Sequence, residues 1–184
     1  ASFARLLALI EPVVGGGQRI DAAVALSITL RMLCGSRSCD AEDIHGVGET
    51  TVLRAFERCL NAIDACIPMH MDVSDEQMLR RIAAGFATRS DGVLTGIVGA
   101  VDGVHVRIRK PTVNGASYWC RKGFYSVNAQ CVVASDRTIL SLSTACVGAS
   151  HDATAWAASS LGRDMAAGLM PNWASLVGDD AYSA

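Results

Sequence analysis

The 184-residue sequence predicts an α/β protein in which an all-helical segment precedes a mixed strand–helix domain. Three observations lead there. Through the first half, apolar residues recur at the three- and four-residue spacing of a helix face. Past Asp91-Gly92 they alternate with period two, the spacing of a strand. After three such stretches come one more helix and one more apolar run, "ASLVG" at 174–178, so a last strand can return beside the first, parallel to it. Residues 1–71 are the helical segment and residues 72–184 the mixed domain.

Each element has its own signals. Residues 1–13 form a short amphipathic helix closed by Pro12 and the glycines 15 to 17. A second helix runs from Ile20 to Cys34 and stops at "CGS". A short polar helix at about 39–45 meets the turn "GVG", and a longer helix follows from Glu49 to about Ala65. Its buried stripe is Val52, Phe56, Leu60 and Ile63, with Thr50, Thr51, Arg54, Arg58 and Asn61 facing outward. Pro68 to Val73 reads as a linker. Ser74 caps the next helix, with Gln77 three residues on. Strands follow at about 96–109, 127–135 and 138–147, the last two joined by a turn at Asp136-Arg137. A single helix from Asp152 to about Gly168, capped by Ser150, precedes the final strand.

Composition narrows the classes. An apolar fraction of 51% supplies a core, and a net charge of −2 gives no global pull toward nucleic acid or membrane. The most apolar run, "AAVALSITL", is far shorter than the ~20 residues a membrane span needs. Seven cysteines without a CxxC pair suit a reduced, intracellular chain with small buried thiols. A zinc site from Cys34, Cys39 and His45 lacks a recognised ligand spacing. Charge is nonetheless local: residues 103–135 hold Arg107, Arg109, Lys110, Arg121 and Lys122 and no acid.

Short helix, glycine turn and second helix is the helix-turn-helix pattern, which presents the start of its second helix to duplex DNA. Thr50, Thr51 and Arg54 stand at that start, and Arg58 one turn later. The same pattern also serves as an ordinary packing unit, and Asp40, Glu42, Asp43 and Glu49 oppose strong attraction to phosphates.

Within "IVGAVDGVHVRI", Asp102 interrupts a row of alternate apolar residues, Val98, Ala100, Val104, Val106 and Ile108. A buried carboxylate needs compensation, from hydrogen bonds, a basic partner or a cation. The parallel return of the last strand would bring Asp179 beside Asp102, and two close carboxylates suit a hard divalent ion such as magnesium or manganese. Taken singly, "DG" is also a turn signal and "GDD" also a solvated loop.

Four blocks, "GAVDGVHVRIRKP", "YWCRKGFYSVNAQCVV", "GASHD" and "VGDDAY", resemble in order and spacing the nuclease domain of PIF/Harbinger-type transposases. "GVGETTVLRAF" is similar to the segment preceding that nuclease. The resemblance covers roughly residues 20 to 184. It implies a ribonuclease-H-like fold whose three acids bind two divalent cations, Mg2+ or Mn2+, and cleave or join DNA phosphodiesters in the nucleus. Asp102 would be the first acid and Asp179 the second, ahead of Asp180. His151 and Asp152 match a supporting "HD" pair. Arg121 and Lys122 match a basic block that would hold DNA phosphates. Tyr118, Trp119, Phe124 and Tyr125 interleave that block, as base-stacking surfaces or as core. The implied partners are double-stranded DNA and a separate DNA-binding protein, with homo-oligomers an open alternative.

No acid of this sequence matches the family's third, which sits on a helix well after the second. The expectation is therefore an incomplete, C-terminally truncated nuclease, inactive as it stands. The alternative is a domesticated DNA-binding protein that keeps the fold without catalysis.

Overall fold

The computed structural model describes residues 2–14, 20–67 and 69–182. Internal contacts divide the chain into two units, Ala1–Pro68 and Met69–Ala184.

Among its described residues the first unit contains four helices, α1 (Phe3–Val14), α2 (Ala22–Leu33), α3 (Ser38–His45) and α4 (Glu49–Cys66). Asp21 caps α2 by accepting a 2.7 Å hydrogen bond from the Val24 amide, satisfying one of the orphan donors of the first turn. Gly46 ends α3 at φ 62°, a left-handed conformation that glycine adopts without penalty. Fully buried Ile10, Leu26, Ile28, Val52 and Cys59 centre the core. Two expectations need correction. Pro12 lies inside the last turn of α1 and does not close it, and the glycines 15 to 17 fall outside the described residues. The deepest line of α4 is Val52, Ala55, Cys59 and Ala62, whereas Phe56, Leu60 and Ile63 are half-buried on its flanks. Small residues let α4 approach its neighbours closely, so bulk is displaced to the rim.

The second unit runs α5 (Glu76–Arg89), β1 (Ile97–Arg107), β2 (Ser126–Val133), β3 (Ile139–Val147), α6 (Asp152–Ala158), α7 (Ser160–Ala166) and β4 (Ser175–Val177). The sheet order is β3-β2-β1-β4. β1, β2 and β3 form an antiparallel meander, and β4 joins the edge of β1 in parallel, as in a ribonuclease-H-like sheet. Trp173 donates a 3.2 Å hydrogen bond to Glu76, and Arg80 holds the same carboxylate at 2.6 Å while stacking over the Trp173 ring. These contacts fasten α5 to the loop that leads into β4.

Here too the structure corrects details. The stretch ending at Val73 is no linker: Met71 and Val73 are buried in the core of the second unit, and the Met69 carbonyl accepts from the Leu142 amide. Pro68 itself lies outside the described residues. Asp75, not Ser74, caps α5, because Asp72 captures both the amide and the hydroxyl of Ser74. The single helix expected from Asp152 is two, divided at Ser159, whose hydroxyl bonds the Gly162 amide and starts α7 afresh. His151 occupies the cap position of α6 in place of Ser150.

The largest correction concerns β1. Its odd residues Val101, Gly103 and His105 stand opposite Val132, Gln130 and Asn128 on β2, and this is the face that meets the helices. The even row is buried only at its start, at Val98. Asp102 is exposed, as are Val104 and Val106 at 50% and 47%. Asp102 therefore interrupts no buried row.

Candidate active site

Parallel pairing of β1 with β4 matches Ala100 with Val177. Asp102 stands two residues beyond Ala100, and Asp179 two residues beyond Val177. The two aspartates thus share an equal offset beyond the last matched pair, just past the point where β4 gives out. The backbone approach is close: a Cβ on Gly178 would meet Val101 at 2.8 Å and the Tyr182 ring at 3.0 Å, so glycine is required just before Asp179. One oxygen of each carboxylate is held by backbone, Asp102 accepting from the Gly103 amide at 2.7 Å and Asp179 from the Ala181 amide at 3.0 Å. Two exposed carboxylates result, each anchored by one backbone amide.

Asp152 approaches from the other face of β1. A Cβ on Gly103 would stand 2.5 Å from its Oδ1, so the glycine after Asp102 makes room for the first residue of α6. Asn128 donates to that Oδ1 at 3.0 Å and to the Ser150 carbonyl at 3.0 Å. Gln130 donates to Asn128 Oδ1 at 2.9 Å and to Asp152 at 3.5 Å. The Tyr182 hydroxyl completes the chain by donating to Gln130 Oε1 at 2.7 Å. Tyr182 ends the 3₁₀ turn Asp180–Tyr182, and its amide bonds the Asp179 carbonyl. A hydrogen-bonded string thus ties the turn after Asp179 to the start of α6.

The electrostatics agree with this grouping. Burial pushes the Tyr182 phenol up to about 12, reinforced by the negative charges of Asp152, Asp102 and Asp179. Cys131, opposite Asp102 on β2, is raised by burial and then by the Asp102 charge. Asp179 and Asp180 also line a cavity of about 490 Å³ with Val101, Trp156, Leu176 and Tyr182.

Among the described residues no group of three His, Cys, Asp or Glu side chains is arranged to hold a metal ion, and this includes Cys34, Cys39 and His45. Two exposed carboxylates still fit one hard divalent cation, which accepts water as its remaining ligands.

Other expected residues fall elsewhere. His151 is exposed at the α6 cap and joins no string. Arg121 and Lys122 are exposed on a hairpin tip after the far end of β1. Thr50 and Arg54 are exposed on the first turns of α4, and Thr51 is half-buried. Arg58 departs from the outward orientation: it is half-buried, and its Nε has no hydrogen-bond partner among the described residues. Asn128, Gln130 and Tyr182 were not singled out from sequence. The available signal was two amides on one face of an otherwise apolar strand, "SVNAQCVV", and a tyrosine three residues after Asp179.

Residues 101–184 match the DDE superfamily endonuclease family. The "Putative nuclease HARBI1" of Rattus norvegicus is 33% identical over 89 residues, 48% of this chain and 25% of that protein. Its counterparts in Homo sapiens and Bos taurus are 32% and 31% identical over 90 residues, with the same coverage. The matched stretch therefore spans a quarter of the length of these relatives. No solved structure matches the chain. Sheet order and these matches point the same way: residues 101–184 resemble a DDE superfamily endonuclease domain of the Harbinger type.

Proposed function

We propose that this chain is part of a divalent-metal-dependent DNA endonuclease whose metal ligands are Asp102 and Asp179. The observation that supports this most is their equal offset beyond the last matched pair of two adjacent parallel strands. Bound Mg2+ or Mn2+ would supply Lewis-acid stabilisation of charge on a phosphodiester. The protein's own contribution is positional. Backbone amides fix one oxygen of each carboxylate, and the Tyr182–Gln130–Asn128–Asp152 string holds the turn that follows Asp179. His151 and Asp152 support; they do not ligate. Arg121 and Lys122 hold phosphates, while Thr50, Thr51 and Arg54 on α4 contact duplex DNA. Arg58, half-buried, contributes less.

Two carboxylates hold one ion, whereas a two-ion reaction needs a further acid. With no third ligand beside Asp102 and Asp179 among the described residues, residues 1–184 should bind metal and DNA without detectable cleavage. The same observation favours the second reading, a DNA-binding protein that keeps the nuclease fold without activity.

Millimolar magnesium or manganese should raise the melting temperature by several degrees, and Asp102→Asn or Asp179→Asn should abolish that rise. An unchanged melting curve would overturn the metal site. Metal-dependent nicking of supercoiled plasmid by residues 1–184, lost in Asp102→Asn, would overturn the incompleteness and establish the nuclease. For α4, Arg54→Ala should weaken duplex binding and lower the slope of log affinity against log salt by about one. An unaltered slope removes Arg54 from the interface.

A further inference from the structure

We propose that the hairpin tip formed by residues 119–125 binds an unpaired DNA strand, one base stacking on Trp119 while Arg109, Arg121 and Lys122 hold the phosphates. Trp119 and Tyr125 form an antiparallel bridge, and the Cys120 amide bonds the Phe124 carbonyl at 2.9 Å. Gly123, at φ 80°, closes the turn through its bond to the Cys120 carbonyl, and the Cys120 side chain is buried beneath the tip. The tip is thus a built hairpin with a fixed shape.

Its side chains divide into a platform and a rim. Trp119 is 50% exposed, a large apolar surface for a residue that usually buries most of its area. Its ring does not swing freely, because Tyr125 packs against it edge-on at 4.9 Å and 72°. Lys110 stands over the Tyr125 ring, and Arg107 covers Phe124 at 4.4 Å. Each of these two rings therefore already has a cation against it, and Trp119 is the ring that stands half in solvent. Around it, Arg109, Arg121 and Lys122 are exposed, and among the described residues none of them makes an ion pair. With no acid between residues 103 and 135, nothing nearby in the chain offsets this charge.

Cations alone would suit any polyanion. The held, half-exposed indole selects further: in a duplex the faces of the bases are stacked on one another, and only an unpaired base can offer its face to a ring. The tip adjoins the end of β1, five residues beyond Asp102, roughly 17 Å along the strand. A strand opened beside the carboxylates could reach it. This deepens the nuclease reading by naming the form of the substrate, and it rests on that reading only for the choice of DNA.

The test is fluorescence anisotropy of residues 1–184 with a labelled 20-nucleotide thymidylate strand and with a duplex of equal length, in EDTA at low salt. Trp119→Ala should weaken single-strand binding by about tenfold, the worth of one stacked base, and leave duplex binding unchanged. Trp119→Phe should restore part of the loss, which a collapsed hairpin would not permit. Joint replacement Arg121→Ala and Lys122→Ala should weaken both ligands and flatten the single-strand salt slope. A 2-aminopurine in the strand should be quenched by the wild-type protein and not by Trp119→Ala. Equal losses for strand and duplex, or no loss at Trp119→Ala, overturn the proposal. Because EDTA is present throughout, the absence of a metal-dependent rise in melting temperature would count against the nuclease reading alone.

Discussion

The two units bury different chemistry. Among the described residues of the first, Ile10, Ala25, Leu26, Ile28, Ala41, Val52 and Cys59 are fully buried, and the one buried polar residue, Thr29, bonds the Ala25 carbonyl one turn back in its own helix. In the second, Ser126, Asn128, Gln130, Ser141 and Ser159 are buried as well, and two of them form the string beside Asp152. Burying an amide costs free energy unless every polar atom finds a partner. That cost falls on the unit with the carboxylates, next to the turn that presents Asp179. Apolar packing suffices to make a helical unit, whereas orienting a charged pair requires directional bonds.

The largest expected effect lies in the first unit. Leu26→Ala should destabilise it by about 2–5 kcal/mol, read as lost helical ellipticity. All three tryptophans belong to the second unit, so indole emission reports that unit separately. Next comes Asn128→Leu, which leaves the Ser150 carbonyl and the Gln130 amide without their partner. It should cost about 1–3 kcal/mol for each buried group left unpaired, and it should also lower the metal-dependent rise in melting temperature. If Asn128→Leu proved neutral and metal binding intact, the string would be packing and the contrast between the units would collapse.

The smallest effect sharpens the contrast through pH. Tyr182 titrates higher in the folded chain, near 12, than the ordinary value near 10. A group raised in the native state contributes stability that is fully present below its unfolded value and is lost as pH climbs through the folded one. Stability of the second unit should therefore fall between about pH 10 and 12, and Tyr182→Phe should shallow that fall. An identical alkaline profile for the variant would place Tyr182 outside the charge of the three aspartates.

Local patterning in the sequence was enough for a helical segment followed by a strand–helix domain and for the parallel return of β4 beside β1. Periodicity and connectivity are written in neighbouring residues, and a crossover helix has few ways to close. Alternation along β1 likewise showed which residues share a face. It could not show which face the helices would cover, because that depends on where α5, α6 and α7 land, so Asp102 read as buried when it is exposed. The narrow line of Ala55, Cys59 and Ala62 was hidden for a related reason: hydrophobic bulk marks a stripe, but close approach selects small residues. Division of the last helix at Ser159 turned on one hydroxyl competing for a backbone amide. Only the folded chain brought Asn128, Gln130, Asp152 and Tyr182 together, since hydrogen bonds between residues up to 52 positions apart leave no mark in local spacing.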